Sequence, residues 1–347
     1  METKGKISIL TPAYNAAKTI ARCVESIQHQ TYTDWELLIV DDGSKDDTLS
    51  ICRQLALEDD RIKVFHVENG GVSKARNFVL ARATGAYMTC VDSDDWVEPN
   101  MLEILLSYMQ GDIQMVCANF YYEKRGKTGI GYISKSPVYK SEIDAYPLCV
   151  LIPDSLTYFN GITLPIDIAG AACGKLYKMD VIRRYNIQYP EKVALREDAF
   201  LNIQCFIHSV NMVIVNSPLY HYVIDNSSSN FRFRPDVHIQ NQAFYDCYSQ
   251  ILPMLKDEYR EIFMNCVSYS AYYSLINNFI GHKMHQLGFA GRIKLLNSYL
   301  NKYSIYHLTK TDNRFLPLYK RFEMFCLGHR WGFMLLLIQL FRHYIKR

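Results

Sequence analysis

The chain has 347 residues, 49% of them hydrophobic and 21% charged, with a formal net charge of +3; this suffices for one large domain and a smaller one, and excludes a disordered chain. Its 10 cysteines stand singly, with no CxxC pair, which excludes a disulfide framework or a zinc knuckle and reads as buried apolar residues in a reducing compartment. The opening METKGKISIL has too short an apolar run for a signal peptide, so a cytoplasmic protein is expected.

In chain order, 6–10 (KISIL), 36–40 (ELLIV), 62–67 (IKVFHV) and 87–91 (YMTCV) are short apolar runs bounded by turn residues, the pattern of strands covered on both faces. Between them, helical periodicity is predicted over 16–30 (Ile20, Val24, Ile27), 47–58 (Leu49, Cys52, Leu55) and 73–83 (Ala75, Val79, Leu80). This alternation predicts a Rossmann-like, mostly parallel α/β sheet flanked by helices. Ligands of such sheets bind beyond the carboxyl ends of the strands, and TPAYN (11–15), DDGS (41–44) and VDSDD (91–95) all follow a predicted strand directly. Residues 123–144 are polar and glycine-containing, as expected of a hairpin or loop on an acceptor side. From about 240 the pattern turns helical, with Tyr259, Ile262, Phe263, Cys266, Leu275, Ile276 and Phe279 at three-and-four spacing. The expected organisation is a first domain over 1–235, with halves 1–110 and 111–235, then a helical region over 236–347.

The acidic stretches pose a physical problem, because like charges a few ångströms apart raise one another's pKa unless a cation or backbone donors hold them. Asp92 and Asp94 suit a divalent metal with ribose hydroxyls and a diphosphate, and hard oxygen ligands favour Mg2+ or Mn2+; the plain alternative is a cap for the helix expected near Pro99. Asp41-Asp42-Gly43-Ser44 reads as a base-recognition turn, since a carboxylate accepts an imide N–H, or as an ordinary turn; Asp46-Asp47 reads as a cap for the helix at Thr48. Gly70-Gly71 leads into a helix with Arg76 in its first turn, either a nucleotide contact or a surface charge.

The blocks ISILTPAYNA, QTYTDWELLIVDDGSKDDT, RIKVFHVENGGVSKARN and TGAYMTCVDSDDWVEPNMLE, spaced in this order over 5–110, resemble glycosyltransferase family 2, the inverting nucleotide-sugar transferases of the glycosyltransferase-A fold. The resemblance implies that Asp42 binds the nucleobase, Pro12 and Tyr14 line the base pocket, Asp92 holds the ribose and Asp94 the metal on the diphosphate. Asp41, Gly43, Arg76, Asn77 and Ser93 complete the expected nucleotide-sugar set. A further block, CGKLYKMDVIRRYNIQYPEKVALREDAF, resembles capsule and exopolysaccharide transferases, with tyrosine at 189 as a mild departure. It implies Asp198 as general base, since an inverting transferase must remove the acceptor's proton as the hydroxyl attacks and needs no protein nucleophile; Glu197-Asp198 at a helix N-terminus is the structural alternative. Lys175 and Glu197 are candidate acceptor contacts and His221 a candidate metal ligand, although a lone histidine in an aromatic strand is more often packed and hydrogen-bonded.

The stretch after residue 280 carries twelve Lys and Arg against Asp312 and Glu323, leaving the rest of the chain at about −7. Within HRWGFMLLLIQLFRHYIKR (329–347) the apolar run 331–341 reaches only about 16 Å as helix, too short to span a bilayer core of roughly 30 Å. Flanked by basic residues, it reads as a segment at an anionic membrane surface, with a packed terminal helix or a homodimer contact as the alternatives; no nucleic-acid-binding motif is present. The family context implies a glycan or polyprenyl-linked glycan acceptor in surface polysaccharide synthesis, at the inner face of a bacterial plasma membrane. Two rivals are a non-catalytic nucleotide-sugar-binding subunit, against which the intact Asp92, Asp94 and Asp198 argue, and a sugar-nucleotide pyrophosphorylase, whose glycine-rich triphosphate loop TPAYNAAK does not supply.

Overall fold

Four parallel strands carry the amino-terminal third: β1 (Ile7–Ala13), β2 (Trp35–Asp42), β3 (Ile62–Val67) and β4 (Tyr87–Cys90). They lie in the order β3-β2-β1-β4. Every residue of β1 and β2 is buried, as continuous apolar runs covered on both faces require. The computed structural model describes residues 5–131, 138–139, 158–159, 162–163, 170–193, 196–209, 211–224, 236–255, 257–280, 288–306 and 318–345. Most of the expected acceptor loop beyond 131 lies outside these residues.

The helices between the strands follow the expected segments. α1 (Ile20–Gln28) buries Ile20, Cys23, Val24 and Ile27 on one face; α2 (Thr48–Glu58) and α3 (Val72–Leu80) complete the βαβ turns. After β4 come β5 (Trp96–Val97), α4 (Met101–Ser107), the long β6 (Ile113–Lys124), β7 (Lys127–Gly131), β8 (Val138–Tyr139), and a separate β9 (Tyr158–Phe159) and β10 (Ile162–Thr163) pair. Then follow β11 (Lys175–Lys178), α5 (Met179–Arg184), α6 (Glu197–His208) and β12 (Asn211–Val223).

The second half of the sheet is mixed. β11 lies antiparallel between β4 and β6, β6 runs parallel to β12, and β5, β7 and β8 add antiparallel edges. The β6–β12 register shifts on both sides of Pro218, which has no N–H to give the ladder. Beyond that irregularity Tyr220 and His221 pair with Val97 and Trp96 of β5, so β12 lies directly against the chain leaving the DSDD segment.

The chain divides into two compact units, Met1–Asp144 with Ile168–Asp225, and Ala145–Asp167 with Asn226–Arg347. The described helices of the second unit are α7 (Val237–Ser249), α8 (Asp257–Ile280), α9 (Phe289–Lys302), α10 (Leu318–Gly328) and α11 (Gly332–Ile345). Phe263, Leu275 and Ile276 are buried on α8 as their spacing predicts. Two polar links sit inside this unit. Asn241 donates to the Ala271 carbonyl and the Tyr306 hydroxyl, at 2.8 and 3.1 Å, and Glu323 accepts the Tyr269 hydroxyl at 2.8 Å, which satisfies a carboxylate that is fully buried. Among the described residues no helix is long and apolar enough to cross a membrane.

Candidate active site

The rim at the carboxyl ends of β1, β2 and β4 gathers the expected motifs. β1 and β2 are tied together just past their ends: Ser44 Oγ accepts the Asn15 N–H at 2.8 Å, Thr48 Oγ1 the Ala16 N–H at 2.7 Å, and Asn15 Oδ1 the Lys45 N–H at 2.9 Å. Asp46 accepts the N–H groups of Thr48 and Ala17, a local bracing role rather than a ligand one. Pro12 is buried in this rim while Tyr14, 44% exposed, stands open above it.

Asp42 ends β2, and its two carboxylate oxygens accept the N–H groups of Gly70 and Gly71 at 2.8 and 2.9 Å. The nucleobase contact expected of Asp42 therefore has to use lone pairs that this clamp leaves over. Asp41, fully buried, takes the His66 ring at 2.7 Å on Oδ2, while its Oδ1 has no hydrogen-bond partner. Gly43 has φ +71, and a Cβ there would meet the Asn69 nitrogen at 2.8 Å, so the turn requires glycine on both counts.

The clamp sets the start of α3, which carries Arg76. This side chain is only 3% exposed, so it is not the surface charge that the sequence left open. Its Nη2 donates to Asp92 Oδ1 at 2.8 Å, and its Nη1 to Asp198 Oδ1 at 2.7 Å and Glu197 Oε1 at 3.0 Å. The DSDD segment and the Glu197-Asp198 pair thus meet on one guanidinium.

α6 begins at Glu197, after Arg196 in the left-handed region at φ +67. The Asp198 carboxyl is raised from 3.8 to about 7: burial is the largest cause, Arg76 opposes it, and the charges of Glu197 and Asp92 add to it. A carboxyl poised near neutrality is what proton removal from a hydroxyl asks for. Glu197, the candidate acceptor contact, already gives one oxygen to Arg76.

The three carboxylates of the DSDD segment have different surroundings. Asp95 is buried and braces the fold, accepting the Tyr220 hydroxyl at 2.6 Å and the Val223 N–H at 2.8 Å; burial, then the charges of Asp94 and Asp92, push its carboxyl well above the usual range. The Tyr220 oxygen also accepts the Asp92 N–H at 3.1 Å. Asp92 is half-buried and Asp94 exposed, and the Asp94 carbonyl takes Arg22 Nη2 at 2.6 Å. Arg22 lies 4.1 Å over the Trp96 ring. Ser93 is half-buried between the two acids.

The ligating atoms of Asp92, Asp95 and Cys173 lie within 4.8 Å of one another. Burial first, then nearby carboxylates, keeps the Cys173 thiol far above neutrality and so protonated, and Asp95 is already hydrogen-bonded twice. What remains for a hard divalent cation is oxygen from Asp92 and the exposed Asp94, completed by a diphosphate, a donor set that fits Mg2+ or Mn2+.

Three expected site residues are corrected. His221 does not face a metal: Nδ1 is 2.9 Å from Glu123 and Nε2 2.8 Å from Glu98, and the ring stacks between Trp96 and Tyr121, leaving no ring nitrogen for coordination. Lys175 does not face an acceptor. It is fully buried on β11, its amine donates to the Ala171 carbonyl, and burial lowers its pKa. Asn77 does not face a nucleotide, because its amide donates to the Tyr189 carbonyl at 2.9 Å and accepts the Tyr189 N–H at 2.8 Å. Conversely, Tyr220 and Arg22 support the site and were missed. Tyr220 lies in the same SPLYHY stretch that drew attention to His221, whereas nothing local marks Arg22.

Comparison with known proteins supplies the family. The sequence pattern described as Glycosyl transferase family 2 matches residues 8–160. The chain is 30% identical over 256 residues to "Putative glycosyltransferase EpsH" of Bacillus subtilis (strain 168), covering 73% of this chain and 70% of that one. In fold it is similar to S. aureus TarS 1-349 in complex with UDP-GlcNAc, with TM-score 0.67 and 16% identity over 97% of this chain and 92% of that one. It is also similar to a mannosyltransferase of Pyrobaculum calidifontis in complex with GDP-Man and Mn2+, with TM-score 0.52 and 13% identity over 95% and 86%. These likenesses confirm the glycosyltransferase-A fold.

Proposed function

This chain belongs to glycosyl transferase family 2 and is a glycosyltransferase, and on that premise we propose that it transfers a sugar, with inversion, from a UDP-sugar to a hydroxyl of a glycan or lipid-linked glycan. The observation that carries the reading is the meeting of Asp92 and Asp198 on one buried guanidinium, which sets the donor end and the base end of the site side by side. The TarS complex with UDP-GlcNAc supports a uridine donor, and the mannosyltransferase similar in fold, in complex with GDP-Man and Mn2+, supports a divalent metal.

The residues divide the chemistry as follows. Asp92 would orient the ribose, and Asp94, with Asp92 nearby, would hold Mn2+ or Mg2+ with the diphosphate. When bound, the metal neutralises charge that develops on the leaving diphosphate. Asp198 takes the proton of the acceptor hydroxyl as its oxygen bonds to the anomeric carbon; the bond from that carbon to the diphosphate breaks, and its electron pair leaves with the nucleotide. One carboxylate suffices, because the attack comes from the face opposite the leaving group. Asp42, Pro12 and Tyr14 border the end of the rim where the base would lie.

A surface in the second unit supports a peripheral membrane location. Phe322 and Phe325 of α10, Trp331, and Phe333 and Leu337 of α11 are exposed, while Cys326, Leu327, Leu335 and Leu336 are buried. Exposed aromatics in a stretch with a surplus of ten positive charges after residue 280 suit the interface of an anionic leaflet.

The deciding experiment incubates the protein with Mn2+ and a panel of nucleotide sugars, with and without polyprenyl-linked acceptors, and records which nucleotide diphosphate is released. Release from one UDP-sugar, dependent on acceptor and metal, is expected. Release from none of the panel, with tight metal-dependent UDP binding, would replace the reading by a non-catalytic binding subunit.

A further inference from the structure

We propose that Arg76 is a positioning residue for the transfer: its planar guanidinium fixes the spacing between the Asp92 carboxylate at the donor end and the Asp198 carboxylate at the base end. The inference rests on the reading of Asp198 as the base.

The first support is covalent geometry. Nη1 and Nη2 belong to one rigid plane, and each bonds a carboxylate from a different part of the chain, Asp198 on α6 and Asp92 after β4. A fork of this kind sets distance and direction together, whereas a lysine ammonium offers a single point of charge.

The second support is how firmly the fork itself is held. Gly70 and Gly71 donate to Asp42 at 2.8 and 2.9 Å, which anchors the start of α3. The next residue, Asn77, bonds both the N–H and the carbonyl of Tyr189. The Tyr189 ring lies 5.3 Å from the guanidinium, and its hydroxyl is 3.1 Å from Cys90 Sγ at the end of β4. α3 is therefore fixed to β2 on one side and to the chain leading into α6 on the other. This arrangement positions a positioner.

The third support is energetic. One buried cation faces three carboxylates, Asp92, Glu197 and Asp198, and its Nε is buried with no hydrogen-bond partner. Buried ion groups of this kind are seldom a net gain in stability over apolar packing, and an excess of negative charge with an unmet donor is worse than a balanced pair. Fold stability alone does not account for the cluster, while a demand for fixed spacing between two reacting ends does.

The test compares Arg76→Lys, Arg76→Ala and Asp198→Asn with wild type in the full chain, using UDP plus Mn2+ as the binding probe and the donor selected by the panel for kinetics. Arg76→Lys is expected to melt within about 4 °C of wild type, to bind UDP within about fivefold, and to lose about 100-fold in kcat, the effect of a misplacement near 1 Å. Arg76→Ala is expected to regain part of its kcat with added guanidinium ion and none with ammonium ion at equal ionic strength. Arg76→Lys within threefold of wild-type kcat would overturn the proposal. So would variants that fail to fold, or whose melting temperature and UDP binding fall in step with kcat, since Arg76 would then be a structural group only. Asp198→Asn at the wild-type rate would instead remove the base reading, a result distinguishable from either outcome at Arg76.

Discussion

The ends of β2 and β4 carry nearly the same letters, Asp41-Asp42 and Asp92 to Asp95, yet the fold treats them in opposite ways. At the β2 end the carboxylates are met by internal donors: Gly70 and Gly71 for Asp42, His66 for Asp41. At the β4 end Asp95 is met by Tyr220 and Val223, while Asp92 shares a single guanidinium with two other acids and Asp94 is exposed. A carboxylate satisfied by backbone N–H groups serves as a strut. One left with a deficit of positive charge is placed to receive a cation.

The largest expected effect sharpens the β4 side. Asp198→Asn keeps the size of the side chain and removes the base, so kcat should fall by about 100-fold to 10,000-fold while UDP binding, read by calorimetry, stays near wild type. Asp94→Ala should follow, weakening Mn2+-dependent UDP binding by at least about tenfold, or roughly 1.4 kcal/mol, and abolishing transfer; removal of metal by chelation should reproduce that loss in the wild type but add little in the variant.

The pH profile tests the same contrast without mutation. With its carboxyl raised to about 7, Asp198 is protonated and inactive as a base in acid, so kcat/KM should climb with pH and level off above about 7. The sign for stability is the reverse. A raised carboxyl pKa favours the protonated folded form, so this group's contribution is full below the ordinary value of 3.8 and declines as pH rises towards 7.

On the β2 side the expected effect is on stability. Asp42→Ala leaves two glycine N–H groups without their acceptor and should cost about 1–3 kcal/mol, measured by denaturant unfolding. A large loss of UDP affinity with unchanged stability would break the comparison, because Asp42 would then act mainly on the ligand. The smallest effect lies in the second unit: Trp331→Ser should reduce sedimentation with anionic vesicles and leave UDP affinity and binding to neutral vesicles unchanged.

Some features were legible because their cause is local. The strands β1 to β4 are buried on both faces, and continuous apolar runs announce that; α1 and α8 announce themselves by the spacing of their buried residues. Asp92, Asp94 and Asp198 were singled out through motifs resembling a family, and the structure brings Asp92 and Asp198 onto one guanidinium. Lys175 and His221 were misread, since a polar residue within an apolar strand carries no mark of whether it faces a ligand or neighbouring protein. Burial and the partners Ala171, Glu98 and Glu123 decided both.

By itself, then, the sequence determined the βαβ order, the strand ends at which acidic residues stand, and the family to which the chain belongs. The tertiary structure alone decided which acids are buried struts and which are exposed, and that Arg76 joins Asp92 to a carboxylate 122 positions further along than itself. The physical reason is range. Strand and helix patterns arise from neighbours along the chain, whereas desolvation and charge pairing depend on groups brought together only when distant segments pack.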